Sequence, residues 1–307
     1  MGKNGRYRPQ HPALAGAMTG GIEICITFPL EFVKVQLQLQ NVSGNSLQGH
    51  PSFKGPIHCA ASTFRQNGVC GLYAGLSPWL IFAFPRSAIR FMTFENVATQ
   101  LQGGQGELSP LIALGAGTVA GVTESALCLT PLQNIQIRMT QDSIAEKGSK
   151  RYRWDIGFLH ALREIWRMEG IRAGFFGGIW PTVVKGAVNN CIRFVVYNET
   201  SKVVRKARGA ETDEALGALT TFGLGAMAGA VSAVVTQPID TVKSNLQGMS
   251  AGMYKGSLHC AREIVAVDGA AGLFRGLTPR VCRVCLEIGL HFSLYDYLCR
   301  LLDRAVP

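Results

Sequence analysis

Six long apolar stretches run along the chain, and shorter polar segments separate them. They cover residues 12–40, 76–101, 110–140, 178–204, 216–247 and 277–302. At about 1.5 Å per helical residue, each stretch is long enough to cross a hydrocarbon layer of about 30 Å with some tilt. The pattern therefore predicts six membrane-spanning helices.

A polar block beginning with proline closes the first apolar stretch of each third of the chain. The copies are Pro29-Leu-Glu-Phe-Val-Lys34, Pro131-Leu-Gln-Asn-Ile-Gln136 and Pro238-Ile-Asp-Thr-Val-Lys243, about 100 residues apart. Two further landmarks follow in the same order: an aromatic–basic pair starting at Phe53, Tyr152 and Tyr254, and a glycine-rich block starting at Gly68, Gly170 and Gly269. One unit is therefore triplicated, and the predicted repeats are residues 1–105, 106–210 and 211–307, which together form one integral transmembrane domain.

Composition favours a membrane over the alternative, a soluble helical solenoid. Charged residues make up 16% of the chain, against about 25% in a typical soluble domain. Glycines also recur four residues apart in the first helix of each repeat, at Gly16 and Gly20, Gly117 and Gly121, and Gly225 and Gly229. Such spacing allows membrane helices to pack closely.

Other function classes fit the sequence poorly. The formal net charge of +10 is dispersed and no nucleic-acid-binding motif accompanies it, so a nucleic-acid partner is not expected. Only Cys282 and Cys285 among nine cysteines have CxxC spacing, which indicates neither a metal site nor a disulfide framework. With no visible nucleophile–base set or phosphate loop, we expect neither an enzyme nor a cofactor.

The triplicated proline block with its aromatic–basic element resembles the signature of the mitochondrial carrier family. Within that family, Gly20-Gly-Ile-Glu-Ile-Cys-Ile-Thr-Phe-Pro29 and Arg280-x2-Arg283-Val-Cys-Leu-Glu287 are similar to the members that carry tricarboxylates such as citrate. The segments Pro85–Phe91 and Lys185–Phe194 match the same subgroup. The resemblance implies an all-α fold with threefold pseudosymmetry, a short matrix-side helix in each repeat, and a multi-pass protein of the mitochondrial inner membrane.

Charged side chains inside the predicted helices indicate a binding site, because an ionisable group in a membrane span is costly and usually faces the bundle interior. Aligning the second helix of each repeat on its aromatic residues brings polar positions into register. The predicted substrate-binding residues are Arg86, Arg90, Lys185, Asn189, Arg193 and Arg283. Pairing with Glu23, Glu124 or Glu287 could account for one or two of the five cations, which leaves a cluster suited to a small polyanion.

The family resemblance also implies a gate at the matrix side. The first long helix of each repeat should bend at its proline, Pro29, Pro131 or Pro238, and the bend should draw the end of the helix toward the axis of the bundle. The acid of each repeat would then pair with the base of the next: Glu31 with Gln136, Gln133 with Lys243, and Asp240 with Lys34. At the end of the second long helix of each repeat, no basic residue occupies the position that would pair with an acid. No strong ionic lock is therefore expected at the cytosolic side.

The expected activity is exchange, by alternating access, of citrate or another tricarboxylate for a tricarboxylate or a dicarboxylate such as malate. Isocitrate and cis-aconitate are further expected substrates, and Glu23, Glu124 or His291 are candidates for proton coupling. Another small anion, such as 2-oxoglutarate, phosphate or a nucleotide, and an uncoupling proton leak are the alternatives. Membrane lipid, including cardiolipin at the matrix-side helix ends, is the other expected partner.

Overall fold

The structure, a computed structural model, describes residues 12–40, 53–102, 110–145, 157–209, 218–249 and 251–305. Within these ranges the secondary structure is helical, and no strand is found. The α-helices are α1 (Pro12–Leu39), α2 (Pro56–Leu72), α3 (Leu76–Gln102), α4 (Pro110–Glu124), α5 (Thr130–Ser143), α6 (Phe158–Phe176), α7 (Ile179–Arg208), α8 (Ala218–Gln247), α9 (Ser257–Asp268) and α10 (Leu277–Ala305). The six predicted stretches correspond to α1, α3, α4 with α5, α7, α8 and α10.

Each third of the chain contains a long helix, a short helix and a second long helix. The short helices α2, α6 and α9 begin in the same way. A glycine precedes each helix, Gly55, Gly157 or Gly256, and its carbonyl accepts a hydrogen bond from the backbone N–H four residues later. Burial raises the pKa of the Cys59 and Cys260 thiols in these helices to about 12, so both thiols stay protonated and serve packing.

A glycine in the left-handed region precedes the second long helix of each repeat. Gly75, Gly178 and Gly276 have φ angles of 91°, 68° and 77°. A Cβ atom at Gly276 would lie 2.9 Å from the Lys34 carbonyl oxygen of α1, and one at Gly75 would lie 2.9 Å from the Gln136 carbonyl oxygen of α5. Glycine therefore allows each turn to lie close to the end of the first long helix of a different repeat.

The six long units form a closed ring of neighbours. Around the ring, α1 contacts α3, α3 contacts α4, α4 contacts α7, α7 contacts α8, α8 contacts α10, and α10 contacts α1. At the α8–α10 contact, a Cβ atom on Gly229 would lie 2.7 Å from Val284 Cγ1, so a small residue is required there. Around the other glycines of the predicted pairs the space is open or the contact ordinary, so close glycine packing is found at Gly229 alone among these positions.

The ring is closed at the end where the first long helix of each repeat finishes, since α1, α5 and α8 contact one another there. The contact is polar and buried. Gln38 donates a hydrogen bond to Asp240 at 3.2 Å and accepts one from Ser244 at 2.8 Å, and Gln36 donates to the Thr140 carbonyl at 2.5 Å. Side-chain amides thus seal this end of the ring.

The three prolines occupy different local structures. Helix continues through Pro29 in α1 and Pro238 in α8, whereas a π-helical turn, Ser125–Leu129, comes just before Pro131. In that turn the backbone N–H of Thr130 bonds to the Ser125 carbonyl, one residue further back than in an α-helix. That the prolines draw the helix ends inward remains a prediction.

Membrane-span criteria single out few helices in the part of the chain that the structure describes. By length and hydropathy, Thr220–Gln247 can cross a membrane alone, and Pro56–Ala83 with Pro85–Leu101, bent by 41°, qualifies as a second span. Charged groups inside α3 and α10 lower the hydropathy of those helices. The six-span arrangement remains a prediction. The aromatic–basic pair that starts at Tyr152 lies outside the described residues.

Candidate functional site

Asp240 of α8 is the most heavily contacted carboxylate of the ring interior. Its side chain is fully buried, and cations from three other helices reach it: Lys34 Nζ lies 2.7 Å from Oδ2, Lys185 Nζ is ion-paired with Oδ1, and Arg280 Nη1 is 3.8 Å from Oδ2. Lys243 lies 4.0 Å away on the same helix. One carboxylate therefore compensates several cations from α1, α7 and α10.

Glu31 of α1 forms a second buried centre of charge. Its Oε2 is ion-paired with Arg283 Nη1 of α10, and its Oε1 lies 3.5 Å from Lys34 Nζ. Arg283 in turn holds Glu287 through Nε at 2.5 Å. Since the side chains of Glu31 and Arg283 are only 8% and 15% exposed, the pair is shielded from water and strong.

The predicted gate ring is only partly assembled, and two of its three pairings are wrong for this state. Lys34 contacts Asp240 as expected, but Glu31 is bound to Arg283 and Gln136 donates to the Thr140 hydroxyl at 3.5 Å. The Oε1 atom of Gln133 is buried without a hydrogen-bond partner in the described part of the chain. A neutral amide cannot compete with a guanidinium for a buried carboxylate, because charge-assisted bonds are about twice as strong.

A third ion cluster joins the first and second repeats. Arg86 of α3 is ion-paired through Nε with Glu124 of α4, and Arg90 Nη1 lies 3.6 Å from the same carboxylate. Arg86, Arg90, Lys185 and Arg283 are therefore all paired with acids. The expectation that pairing accounts for one or two cations is wrong, because Glu31 and Asp240 also serve as partners.

Arg193 is the exception among the predicted cations. In the described ranges no carboxylate lies within 4.0 Å of its guanidinium, and its side chain is exposed. One turn earlier on α7, Asn189 accepts a hydrogen bond from Ser232 of α8 at 2.5 Å through Oδ1. Arg193 is thus the cation with the most freedom to meet a ligand.

His291 lies at the exposed side of this interior. Its Nδ1 is 3.2 Å from Glu23 Oε2, which joins α10 to α1. Side-chain exposure falls steadily from 55% at His291 and 56% at Arg90, through 20% at Lys185, to 0% at Asp240. The ring interior therefore has an accessible mouth, a cationic middle and a sealed end.

Two residues of the interior were missed by the sequence reasoning. Arg280 is buried and donates to Gln237 Oε1 at 2.9 Å and to Thr236 Oγ1 at 2.7 Å. Trp79 stands at the equivalent position of α3, and its ring faces the guanidinium groups of Arg86 and Arg283. The available signal was spacing, because Arg280 lies three residues before Arg283 on one helix face.

In the second long helix of each repeat, α3, α7 and α10, the position where a base would be needed for an ionic lock is buried. Ala98, Ser201 and Cys299 are 6%, 0% and 2% exposed. These small side chains fill helix contacts. In the described residues, no group of three or more histidine, cysteine or acidic side chains could hold a metal ion.

Comparison with known proteins adds a second line of evidence. A family model described as mitochondrial carrier protein matches the chain three times, at residues 5–105, 106–208 and 214–305. The mitochondrial tricarboxylate transport protein of Bos taurus is 36% identical over 304 residues, which is 98% of this chain and 93% of the relative. The putative mitochondrial tricarboxylate transport protein of Caenorhabditis elegans is 38% identical over 289 residues, covering 94% of this chain and 88% of the relative.

Removing the charge of Asp240 should destabilise the closed ring. Asp240→Asn leaves Lys34, Lys185 and Arg280 without their shared buried partner, a loss of about 3–5 kcal/mol in the free energy of unfolding. The melting temperature of the purified protein in detergent should fall clearly. Glu199→Gln, in an exposed pair 2.7 Å from Lys202, is the control and should cost less than about 1 kcal/mol. Equal melting temperatures for the two variants would contradict the central role of Asp240.

Proposed function

The chain belongs to the mitochondrial carrier family, and we propose that it exchanges citrate or another tricarboxylate for a tricarboxylate or a dicarboxylate such as malate. Members of this family are transporters, and the protein is a multi-pass protein of the mitochondrial inner membrane. Two relatives named as tricarboxylate transport proteins cover nearly the whole chain, which supports the substrate class. The remaining candidates are isocitrate, cis-aconitate and smaller anions such as phosphate or 2-oxoglutarate.

One observation carries the proposal: cations of the predicted substrate site are held by acids of the predicted gate. Lys185 is paired with Asp240, and Arg283 is paired with Glu31. Carboxylates of an entering substrate are the same chemical group as these side chains. They can therefore compete for the same cations, with guanidinium forks binding carboxylates in a bidentate manner.

This competition couples substrate binding to opening of the gate. When substrate occupies Lys185 and Arg283, Asp240 and Glu31 each lose a partner and depend more heavily on Lys34, which already lies near both. The ion pairs that tie α8 to α7 and α1 to α10 are then lost, so these helices can move relative to each other and the sealed end can open while the mouth closes. Exchange follows because the empty site restores the internal ion pairs. Substrate shifts the equilibrium only to the extent that it binds the two states differently.

Membrane lipid is the second proposed partner. A largely apolar groove of about 410 Å³ lies between α7, α8 and the start of α9, lined by residues such as Trp180, Val242 and Leu258. The adjacent N-terminus of α9 has no side-chain cap, so its backbone N–H groups are available to a phosphate. These features support an anionic lipid such as cardiolipin at the matrix-side helix ends.

Citrate uptake should depend on a counter-anion trapped inside. Purified protein in liposomes should take up radiolabelled citrate rapidly when citrate or malate is inside, and slowly when the liposomes are empty. Competition by isocitrate, cis-aconitate, 2-oxoglutarate, phosphate and ADP ranks the alternatives. Liposomes prepared with and without cardiolipin test the lipid contact in the same assay, and equal rates would argue against it. Equal citrate uptake into empty and malate-loaded liposomes would exclude exchange and favour a leak.

Arg193→Lys should weaken citrate binding while keeping the positive charge. The planar fork is lost, and with it a charge-assisted bond of about 1.5–3 kcal/mol, so the affinity should fall about ten- to hundredfold. Arg167→Lys on the exposed surface of α6 is the matched control and should transport as the wild type does. Wild-type citrate affinity in Arg193→Lys would mean that the residue acts through its charge alone.

His291→Gln should reduce the pH dependence of citrate/malate exchange. His291 faces Glu23 of α1, lies one turn beyond Glu287 on α10, and stacks on Tyr295 with ring centroids 6.1 Å apart. An imidazole paired with a carboxylate can accept a proton, so this pair can bind the proton that exchange of unequal charges requires. Glu124, the other candidate, already holds Arg86 and Arg90. Exchange rates measured from pH 6 to 8 with an unaltered profile would remove His291 from this role.

A further inference from the structure

Trp79 of α3 is a buried aromatic residue in contact with two cations of the proposed substrate site. The centroid of its ring is 5.4 Å from Arg86 Cζ and 5.8 Å from Arg283 Cζ. Both distances fall within the range of cation–π attraction, for which tryptophan is the strongest aromatic partner. Arg86 comes from α3 and Arg283 from α10, so a single indole links guanidinium groups of the first and third repeats.

Packing alone does not account for tryptophan at this position. The side chain is 8% exposed, and its Nε1 atom has no hydrogen-bond partner in the described part of the chain. A buried indole N–H normally finds an acceptor, because leaving it unpaired costs free energy. Leucine or methionine would fill the apolar surroundings provided by Phe28, Phe32 and their neighbours without that cost. The cation contacts are what the indole adds.

The two arginines also need a feature that holds them near each other before substrate arrives. Like charges repel, and their acids, Glu124 for Arg86 and Glu31 for Arg283, lie on different helices. The electron-rich face of an aromatic ring attracts both guanidinium groups and reduces the cost of their proximity. A pair of cations fixed in advance loses less entropy when a ligand binds.

We propose that Trp79 is a positioning residue that determines specificity: it fixes Arg86 and Arg283 at a spacing that favours tricarboxylates over dicarboxylates. The inference rests on the proposed function. A tricarboxylate can place separate carboxylates on both arginines while a third meets Lys185 or Arg193. A dicarboxylate has too few carboxylates to use every cation, so it depends less on the spacing of this one pair.

The test compares variants that keep or remove the aromatic face. In Trp79→Leu, loss of two cation–π contacts should raise KM for citrate about tenfold, and KM for malate less than about threefold. Trp79→Phe retains a weaker face and should stay within about threefold of the wild-type KM for citrate. The matched control is Trp166→Leu on α6, where the tryptophan is 60% exposed, and it should match the wild type for both substrates.

Equal increases in KM for citrate and malate, a fall in kcat alone, or Trp79→Phe no better than Trp79→Leu would overturn the proposal. If Trp79→Leu does not fold, Trp79→Met takes its place, and if that also fails, Trp79→Phe alone must lower the preference for citrate over malate. Failure of the wild type to exchange citrate would overturn the proposed function and this inference together. Citrate exchange by the wild type that is unchanged in the Trp79 variants would overturn the inference alone.

Discussion

The structure depends on charge compensation in the ring interior. Transfer of a cation from water into a low-dielectric site is costly unless a carboxylate accompanies it. Asp240 meets this requirement for cations from α1, α7 and α10, and Glu31 meets it for Arg283. These two acids therefore tie the helices together at the sealed end, and they hold the cations that a carboxylate ligand would need. Stability of the closed state and capacity to bind an anion come from the same ion pairs.

The three repeats contribute unequally to this arrangement. Repeats one and three supply the acids Glu31 and Asp240, whereas repeat two has Gln133 at the matching position. The acid that repeat two supplies is Glu124, which compensates Arg86 and Arg90. The π-helical turn of repeat two begins directly after Glu124. Its own Arg193 has no acidic partner within ion-pair distance among the described residues. The three repeats thus contribute different charges to the interior, although each contains a long helix, a short helix and a second long helix.

Sequence reasoning predicted the long helices closely, because their apolar length, the recurring prolines and the glycine landmarks are all local signals. The family resemblance also implied the Lys34–Asp240 contact, which the structure contains. It was wrong for Glu31, because an arginine on α10 reaches this acid and the register of α10 against α1 is set by packing. Trp79 was missed for a similar reason: its cation contacts depend on helices that are distant in sequence.

The central claim is that substrate carboxylates displace Glu31 and Asp240 from Arg283 and Lys185. An experimental structure of the protein with citrate bound tests this most directly. The account predicts carboxylate oxygens of citrate within hydrogen-bond distance of Lys185 Nζ and of the Arg283 guanidinium, with both acids moved beyond about 4 Å from those cations. Bound citrate with the Lys185–Asp240 and Arg283–Glu31 pairs intact would contradict it.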